Sequence, residues 1–351
     1  MIMKPDNAEA KFYNAAAIAL QSNYESLKKT YAQFGSWAAA WPTIKKAARS
    51  GIDADAEWLK LDRHKITLLL RADPEFPAQL REMPWPPFGI YVKGALVDHK
   101  KKTIALVGTR KATQHGKTIA KDFARTLANS GLVIVSGLAL GIDAAAHEGA
   151  VGISAKTVAV IATGLDTIYP KTNEQLAAKI LASGGALISE YPIGAPALAH
   201  RFIERNRLIS ALSLGVIIVE APENSGALAT ARFALEQNRE VFVVPGPVNN
   251  LNYFGSHELI KSGAALITSS QDVLRALNLE SAAQSAAQSL NLSRLDENQK
   301  AVILCLNASG QALPVDAIEK LTNLETSVIN GALSFLIIKG LVKEDGGKYY
   351  I

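Results

Sequence analysis

The middle of the chain contains six short, almost entirely apolar runs, and these restrict the fold more than any other feature. Runs of this length and composition are typical of strands buried on both faces of a parallel sheet. Helical periodicity separates them, as in 116–131, where Ile119, Phe123 and Leu127 recur every four residues. This alternation predicts a doubly wound α/β sheet with right-handed crossovers. The runs are TIALVG at 103–108, LVIVS at 132–136, TVAVIA at 157–162, ALIS at 186–189, VIIVEA at 216–221 and EVFVVPG at 240–246.

The region before this sheet divides into two parts. Residues 1–64 are alanine-rich with helical periodicity, and Gly35 is a candidate helix stop. They predict a helical N-terminal domain. Residues 65–100 contain two strand-like runs, ITLLL and GIYVKG, and the prolines between them predict an extended connector. We assign 65–280 as a whole to the sheet domain.

The region after the sheet predicts a linker and a small domain. Residues 281–294 are low in complexity and are typical of a linker. Residues 295–351 show three helical patterns and then a hairpin that turns at Asp345, Gly346 and Gly347. Three helices and a two-stranded wing predict a winged-helix domain.

Composition excludes several classes of protein. The single cysteine, Cys305, excludes an internal disulfide framework and a cysteine zinc cluster, and the six histidines show no paired ligand spacing. No stretch approaches the roughly 18 continuous apolar residues of a membrane span. The first thirty residues lack the apolar core of a signal peptide. We therefore expect a cytoplasmic protein with neither a metal nor a membrane partner.

Charge is distributed unevenly along the chain. The net charge is +5 overall, +5 for residues 1–102 and −2 for residues 296–351. A polyanion partner is therefore permitted. Within the winged-helix region, the candidate recognition helix at 324–340 carries Glu325 and only one late lysine, Lys339. This pattern argues against duplex DNA binding there and favours a protein contact or a structural role.

The turns that follow the predicted strands are the candidate binding site, because ligands of open α/β sheets lie at the carboxyl ends of the strands. Glycine or serine occurs in most of these turns, and both allow a backbone to approach a phosphate closely. Glycine there can equally serve turn geometry alone. The occurrence of several such turns in one chain, together with nearby basic residues, favours an anion-binding site. The turn residues are Gly108, Thr109, Arg110, Ser136, Gly137, Gly164, Leu165, Asp166, Glu190, Glu220, Pro245 and Gly246, and the basic residues are Arg110, Lys111, Lys171, Arg205 and Arg207.

The segment RFIERNRLISALS, 201–213, predicts a helix beginning near Glu204. Arg205 and Arg207 would then lie in its first turn, where the helix dipole disfavours cations by roughly 0.3–1 kcal/mol each. A bound anion would offset that cost, and ion pairs with Glu204 or Glu190 are the alternative. A second candidate anion site is the helix that Ser225 would cap, although a capped helix needs no ligand.

Common catalytic and nucleotide-binding motifs are excluded by spacing. Seven residues separate Gly108 from Gly116–Lys117–Thr118, whereas a P-loop has four. The segment SGLALGID lacks the G-x-G-x-x-G of a dinucleotide site, and no G-x-S-x-G nucleophile motif occurs. The sequence therefore indicates neither a nucleotide triphosphatase nor a nicotinamide enzyme.

Seven segments resemble, in order and spacing, the DNA-processing protein A family, also called DprA or Smf. The resemblance is dense over about 70–280, and the helical front end (SAM-like) and the winged-helix tail also resemble flanking domains of that family. This chain has Thr109 where serine is common and Ile203 where proline is usual. The matching segments are IALVGTRKATQHG, VSGLALGIDAAAH, GLDTIYPKTN, ISEYP, FIERNRLISALS, EAPENSGALATA and REVFVVPGPV with FGSHELIKSGA.

The resemblance implies an extended Rossmann-like domain that binds single-stranded DNA without sequence preference. It also implies a homodimer that protects incoming DNA and loads RecA recombinase during natural transformation, with neither catalysis nor a cofactor. Tyr169 is a candidate for base stacking, or else an aromatic side chain that packs on its own turn. The implied phosphate-binding residues are Gly108, Thr109, Arg110, Ser136, Gly137, Lys171, Arg205, Asn206, Arg207, Ser225 and Gly226.

Two other functions remain open on sequence alone. One is a nucleotide-processing enzyme of the phosphoribohydrolase type, in which Glu190 or Glu220 would assist glycosidic cleavage, although SGALATA lacks the P-G-G-x-G-T turn of such enzymes. The other is a duplex-binding regulator that acts through the winged helix.

Overall fold

The chain forms two compact units, residues 1–283 and 284–351. A computed structural model describes residues 8–48, 51–96, 101–153, 156–279, 295–309, 311–339 and 341–350. The predicted linker at 281–294 lies outside these residues. The predicted division at 64/65 falls inside the first unit, between a helix and a strand, and stays a prediction.

The predicted α/β sheet is confirmed, and in the described part of the chain it has nine strands. They are β1 (Ile66–Leu70), β2 (Gly89–Gly94), β3 (Thr103–Val107), β4 (Val133–Ser136), β5 (Thr157–Ile161), β6 (Ala186–Ser189), β7 (Gly215–Ile218), β8 (Glu240–Val243) and β9 (Ala265–Leu266). Their order is β1-β2-β6-β5-β4-β3-β7-β8-β9. All neighbours from β6 to β9 pair in parallel. Because β3 lies between β4 and β7, the strand order reverses at β3.

Residues 65–96 add two strands to the edge of the sheet, whereas the sequence predicted an extended connector with two strand-like runs. β1 and β2 form an antiparallel pair, with Leu70 opposite Gly89. β2 then pairs antiparallel to β6, with Tyr91 opposite Ser189. The beginning of β2 therefore lies at the same edge of the sheet as the carboxyl ends of the parallel strands.

Helices cover both faces of the sheet, as the continuously apolar strands require. Along β3, Ile104 and Leu106 pack on one layer, while Ala105 and Val107 pack on the other. The helices are α1 (Ala8–Ala19), α2 (Tyr24–Phe34), α3 (Trp37–Ala48), α4 (Ala54–Arg63), α5 (Ala78–Glu82), α6 (Gln114–Asn129), α7 (Ile142–Ala150), α8 (Glu174–Ala182), α9 (Ala199–Ala211), α10 (Gly226–Glu236), α11 (Phe254–Lys261) and α12 (Ser270–Ala276). Two short 3₁₀ helices span Lys171–Asn173 and Leu251–Tyr253.

The four front helices, α1 to α4, share a core with the sheet. Tyr13 and Trp37 pack in one apolar cluster with Phe88 and Leu187. Gly35 ends α2 in a left-handed conformation, as the sequence predicts. The front helices are thus integral to the first unit.

The second unit contains the three helices and the hairpin that the sequence predicts. They are α13 (Glu297–Ser309), α14 (Val315–Thr322), α15 (Thr326–Ile338), β10 (Lys343–Asp345) and β11 (Lys348–Tyr350). The hairpin turns at Gly346 and Gly347, both with positive φ, which glycine adopts without strain. The assignment as a winged helix stays a prediction.

Among the described residues, no single helix has the length and apolarity to cross a membrane. The pair α14 and α15, bent by 112°, satisfies the length and composition criteria only when its two helices are taken together.

Candidate nucleic-acid interface

A cleft of about 310 Å³ lies where the strand order reverses, at the carboxyl ends of β3 and β7. This is the position at which open α/β sheets bind ligands. Its walls are the β3–α6 loop, the β7–α10 loop, the first turn of α10 and one face of α9. The predicted site residues that line it are Gly108, Thr109, Arg110, Arg205, Asn206, Ser225 and Gly226.

The other predicted site residues lie outside this lining. Ser136 is fully buried, and its hydroxyl donates to the Leu106 carbonyl at 2.6 Å. Lys171 is exposed at the start of a 3₁₀ helix, and Tyr169 is half exposed nearby. Gly137 and Arg207 are buried.

The predicted start of α9 near Glu204 is wrong. The helix begins at Ala199, so Arg205 and Arg207 lie in its second and third turns. No side chain caps it, because Leu198 occupies the N-cap, and so the sequence lacks the usual start signal. The expected cost of cations in the first turn therefore does not arise.

Arg205 is a buried cation at the base of the cleft. Its Nη1 donates to the Gly137 carbonyl at 2.7 Å and to the Val160 carbonyl, and its Nε donates to Asn206 Oδ1 at 3.1 Å. Burial lowers the pKa of Arg205 to about 10, opposed by the Asp143 carboxylate. Because that pKa is still well above 7, the Arg205 guanidinium is charged at neutral pH.

Asp143 is the counter-charge of Arg205. Its Oδ2 accepts from the Gly137 amide at 3.1 Å, and burial raises its pKa while the Arg205 charge opposes that rise. A Cβ on Gly137 would lie 2.6 Å from Asp143 Oδ2 and 2.7 Å from Arg205 Nη2. The glycine therefore makes room for this buried pair.

Arg207 forms the ion pair that the sequence left as an alternative. Its Nη2 lies 2.5 Å from Glu190 Oε2, and its side chain is 4% exposed. The Arg207 guanidinium is therefore buried and paired with Glu190 through Nη2, while its Nε and Nη1 have no hydrogen-bond partner among the described residues.

Arg110 and Lys111 supply exposed positive charge at the rim. The Arg110 guanidinium carbon lies 4.8 Å from the centroid of the Phe202 ring. The centroid of the Tyr169 ring lies 5.5 Å from that of the Phe202 ring, and the two rings are inclined by 57°. The sequence did not indicate Phe202 as a site residue, because the predicted start of α9 near Glu204 left Phe202 outside the helix. With α9 beginning at Ala199, Phe202 and Asn206 share one helical face.

The first turn of α10 supplies the third wall of the cleft. Ser225 caps this helix by accepting from the Ala227 amide at 3.2 Å, as predicted. Gly226 opens to free space, since a Cβ there would meet no atom within 4 Å. Asn206 Nδ2 donates to the Gly226 carbonyl at 3.2 Å and so joins α9 to α10. The positive end of a helix dipole thus borders the cleft.

Glu220 holds the β3–α6 loop in place. Its fully buried carboxylate accepts from the Thr113 amide at 3.0 Å, from Asn252 Nδ2 at 3.1 Å and from the Tyr253 hydroxyl at 3.1 Å. The Thr109 amide donates to the Glu220 carbonyl at 2.8 Å. These contacts fix the loop that carries Arg110.

The cleft therefore combines a helix N-terminus, exposed and buried cations and an aromatic ring. Phosphate groups match the first two features and a nucleobase matches the third. In the described part of the chain, no group of His, Cys, Asp or Glu side chains is arranged to hold a metal ion.

Comparison with known proteins identifies relatives of this chain. The family model of DNA recombination-mediator protein A matches residues 67–278. Protein Smf of Escherichia coli is 44% identical over 230 residues, which cover 65% of this chain and 61% of that protein. DNA processing protein DprA of Streptococcus pneumoniae is 43% identical over 202 residues, 58% of this chain and 71% of that protein. The match thus spans less than two thirds of the Escherichia coli protein.

Two solved structures share the fold. The X-ray structure of DNA processing protein A from Streptococcus pneumoniae has a TM-score of 0.63 at 34% identity and covers 78% of this chain and 98% of its own. A structure of DNA processing protein A from Helicobacter pylori, which concerns single-stranded DNA binding, has a TM-score of 0.54 at 33% identity. It covers 61% of this chain and 95% of its own.

Proposed function

From the membership of this chain in the DNA recombination-mediator protein A family, we propose that it binds single-stranded DNA in the cleft at the carboxyl ends of β3 and β7. The single observation that carries the proposal is the Arg110 guanidinium over the Phe202 ring, next to the N-terminus of α10. One strand can place a phosphate on the cation and a base on the ring.

The lining residues divide by chemistry. Arg110, together with the turn at Gly108–Thr109 and the first turn of α10 at Ser225–Gly226, contacts phosphates. Asn206 connects these two walls, while Arg205 adds charge from below. Ser136, Gly137 and Arg207 support the cleft from the buried layer, and Lys171 and Tyr169 extend it at the side of Phe202.

Sequence-independent binding is supported by the kind of groups in the cleft. Backbone amides, cations and aromatic faces recognise phosphates and any base, because every base has a π-face. The single-stranded DNA binding of the Helicobacter pylori relative is consistent with this chemistry. We extend the proposal to a homodimer that protects incoming DNA and delivers it to RecA recombinase in transformation.

The enzyme alternative receives little support from the two carboxylates that it would need. Glu190 is engaged by Arg207, and Glu220 is surrounded by hydrogen-bond donors on the buried side of the loop. Neither is free to protonate a leaving base. Incubation with AMP followed by detection of free adenine separates this alternative from non-catalytic binding.

The proposal is tested by fluorescence anisotropy with labelled single- and double-stranded oligonucleotides over a series of salt concentrations. Arg110→Ala should weaken single-strand binding and reduce the salt slope by about 0.7, the value for one phosphate contact. Arg125→Ala is the matched control, because Arg125 is an exposed arginine on α6 whose partner is Asp122. Equal affinities of wild type and Arg110→Ala at every salt concentration would contradict the proposal.

A further inference from the structure

A second group of aromatic side chains lies outside the cleft, where α2 meets the start of β2. The Tyr24 ring lies 6.0 Å from that of Trp85 and 5.8 Å from that of Phe88, and the Tyr31 ring lies 5.6 Å from that of Phe88. Trp85 is 53% exposed and Tyr31 is 39% exposed. We call Tyr24, Tyr31, Trp85 and Phe88 the aromatic patch.

Trp85 is held in an unfavourable backbone conformation. Its φ is +61°, a left-handed value that bulky residues rarely adopt, because Cβ then approaches the following carbonyl. Packing of the Trp85 side chain in the core does not compensate for this unfavourable backbone conformation, since more than half of the residue is exposed to solvent. Backbone strain of this kind is concentrated at binding sites.

Cations lie beside the aromatic patch. The Arg71 guanidinium carbon lies 4.4 Å from the centroid of the Phe88 ring, which is the buried member of the patch. Lys28 is exposed and follows Tyr24 by four positions and precedes Tyr31 by three, so the three share one face of α2. Exposed rings beside cations complement the bases and phosphates of a single strand.

The aromatic patch and the cleft lie at the same edge of the sheet. Tyr91 is opposite Ser189, so Phe88 and Trp85 precede β2 near the carboxyl end of β6. β2 and β3 are four strand spacings apart, about 19 Å. About six stacked nucleotides span that distance.

One hydrogen bond joins the turn before α2 to α9. Arg201 lies on α9 beside Phe202, and its Nη2 donates to the Gln21 carbonyl at 3.3 Å. Gln21 is three residues before Tyr24, the first residue of α2. The α1–α2 turn, which leads into the aromatic patch, is therefore in direct contact with the helix that forms a wall of the cleft.

We propose that the aromatic patch is a second stacking surface for the strand bound in the cleft, with Trp85 and Tyr31 receiving bases and Lys28 and Arg71 facing the phosphates. This inference rests on the proposed function of the cleft. It predicts that long single strands contact residues of the front helices, whereas strands of a few nucleotides do not.

The test compares labelled oligothymidylates of about four and about twenty nucleotides. Trp85→Ala should weaken binding of the long strand about fivefold and leave binding of the short strand unchanged. In the wild type, the long strand should quench tryptophan fluorescence more than the short strand does. Trp85→Phe should remove that difference, whereas Trp58→Phe, a change of a partly buried tryptophan on α4, should retain it.

The outcomes separate this inference from the proposed function. Failure of wild-type protein to bind either strand would contradict the cleft as a DNA site. If both strands bind, but Trp85→Ala and Trp85→Phe match wild type in long-strand affinity and quenching, the aromatic patch is not a contact surface and the cleft stands. If Trp85→Ala does not fold, the quenching of Trp85→Phe decides the matter.

Discussion

The guanidinium carbon of Arg110 lies 4.8 Å from the centroid of the Phe202 ring, so the ring orients the cation at the rim of the cleft. The contact joins the loop after β3 to the exposed face of α9. Because a stacked arginine keeps its hydrogen-bond donors available, Arg110 can bind a phosphate while it remains on the ring.

Phe202→Ala should weaken single-strand binding by about 1–3 kcal/mol through loss of base stacking. Its salt slope should stay at the wild-type value, because no cation is removed, whereas Arg110→Ala should reduce that slope. Anisotropy titrations at several salt concentrations measure both quantities. A Phe202→Ala variant with wild-type affinity would show that the ring takes no part in binding.

Gly226→Ala should preserve the fold and weaken DNA binding, because its Cβ enters open space at the N-terminus of α10, where a phosphate would approach. Gly108→Ala is the contrasting variant, since its Cβ would lie 2.5 Å from Ile142 Cγ1 and 2.8 Å from the Glu220 carbonyl oxygen, so that α7 or the backbone after β7 must shift. Thermal melting and anisotropy together distinguish the two. Wild-type affinity for Gly226→Ala would remove that turn from the binding site.

Arg207→Ala should lower the free energy of unfolding by about 3–5 kcal/mol, because it leaves Glu190 largely buried without its partner. Arg125→Ala, which removes an exposed ion pair, should change the same quantity by less than about 1 kcal/mol. Urea unfolding measures both. Similar stabilities for the two variants would contradict a structural role for Arg207.

His147 should make the protein less stable in mild acid. Burial, reinforced by the Arg205 charge, lowers the pKa of His147 to about 3, whereas in the unfolded chain it titrates near 6.5. The unfolded state therefore binds the additional proton as pH falls below 6.5. This group should cost about 1.4 kcal/mol of stability between about pH 7.5 and about pH 5.5.

His147→Asn is the matched variant for that measurement. His147 Nδ1 lies 2.8 Å from Thr157 Oγ1, whose own proton is donated to the Ile134 carbonyl, so an asparagine amide can replace the imidazole donor. Urea unfolding of the variant should vary less with pH over this interval. An equal pH dependence in the two proteins would assign the acid sensitivity to other groups.

The sequence predicted strands β1 to β8, because each lies in a short, mostly apolar run that local pattern reveals, but it did not predict the two-residue strand β9. It also predicted the cap at Ser225 and the turn at Gly346–Gly347, both of which depend on local chemistry. The antiparallel addition of β1 and β2 to β6 was not predictable from local pattern, since Tyr91 pairs with a residue about 100 positions away.

The sequence predicted most residues of the candidate site, but it did not predict which of them are exposed and which are buried. Seven proposed phosphate-binding residues line the cleft, yet burial divides the three arginines into one exposed and two interior residues. The partners that hold Arg205 and Arg207 inside are the Gly137 and Val160 carbonyls and Glu190, which come from other strand ends. In the sequence alone, an arginine whose guanidinium is held by such internal partners has the same local pattern as an arginine whose guanidinium is free to bind a phosphate.

The position of β3 also determines when the cleft can form. Ala105 pairs with Val135 nearby in sequence, but its pairing with Val216 must wait for a segment about 110 residues later. Contacts between such distant segments form slowly, because a long loop must close first. During synthesis, the front helices and the strands up to β6 can assemble before β7 emerges. A nascent chain therefore acquires much of its core before it acquires the cleft.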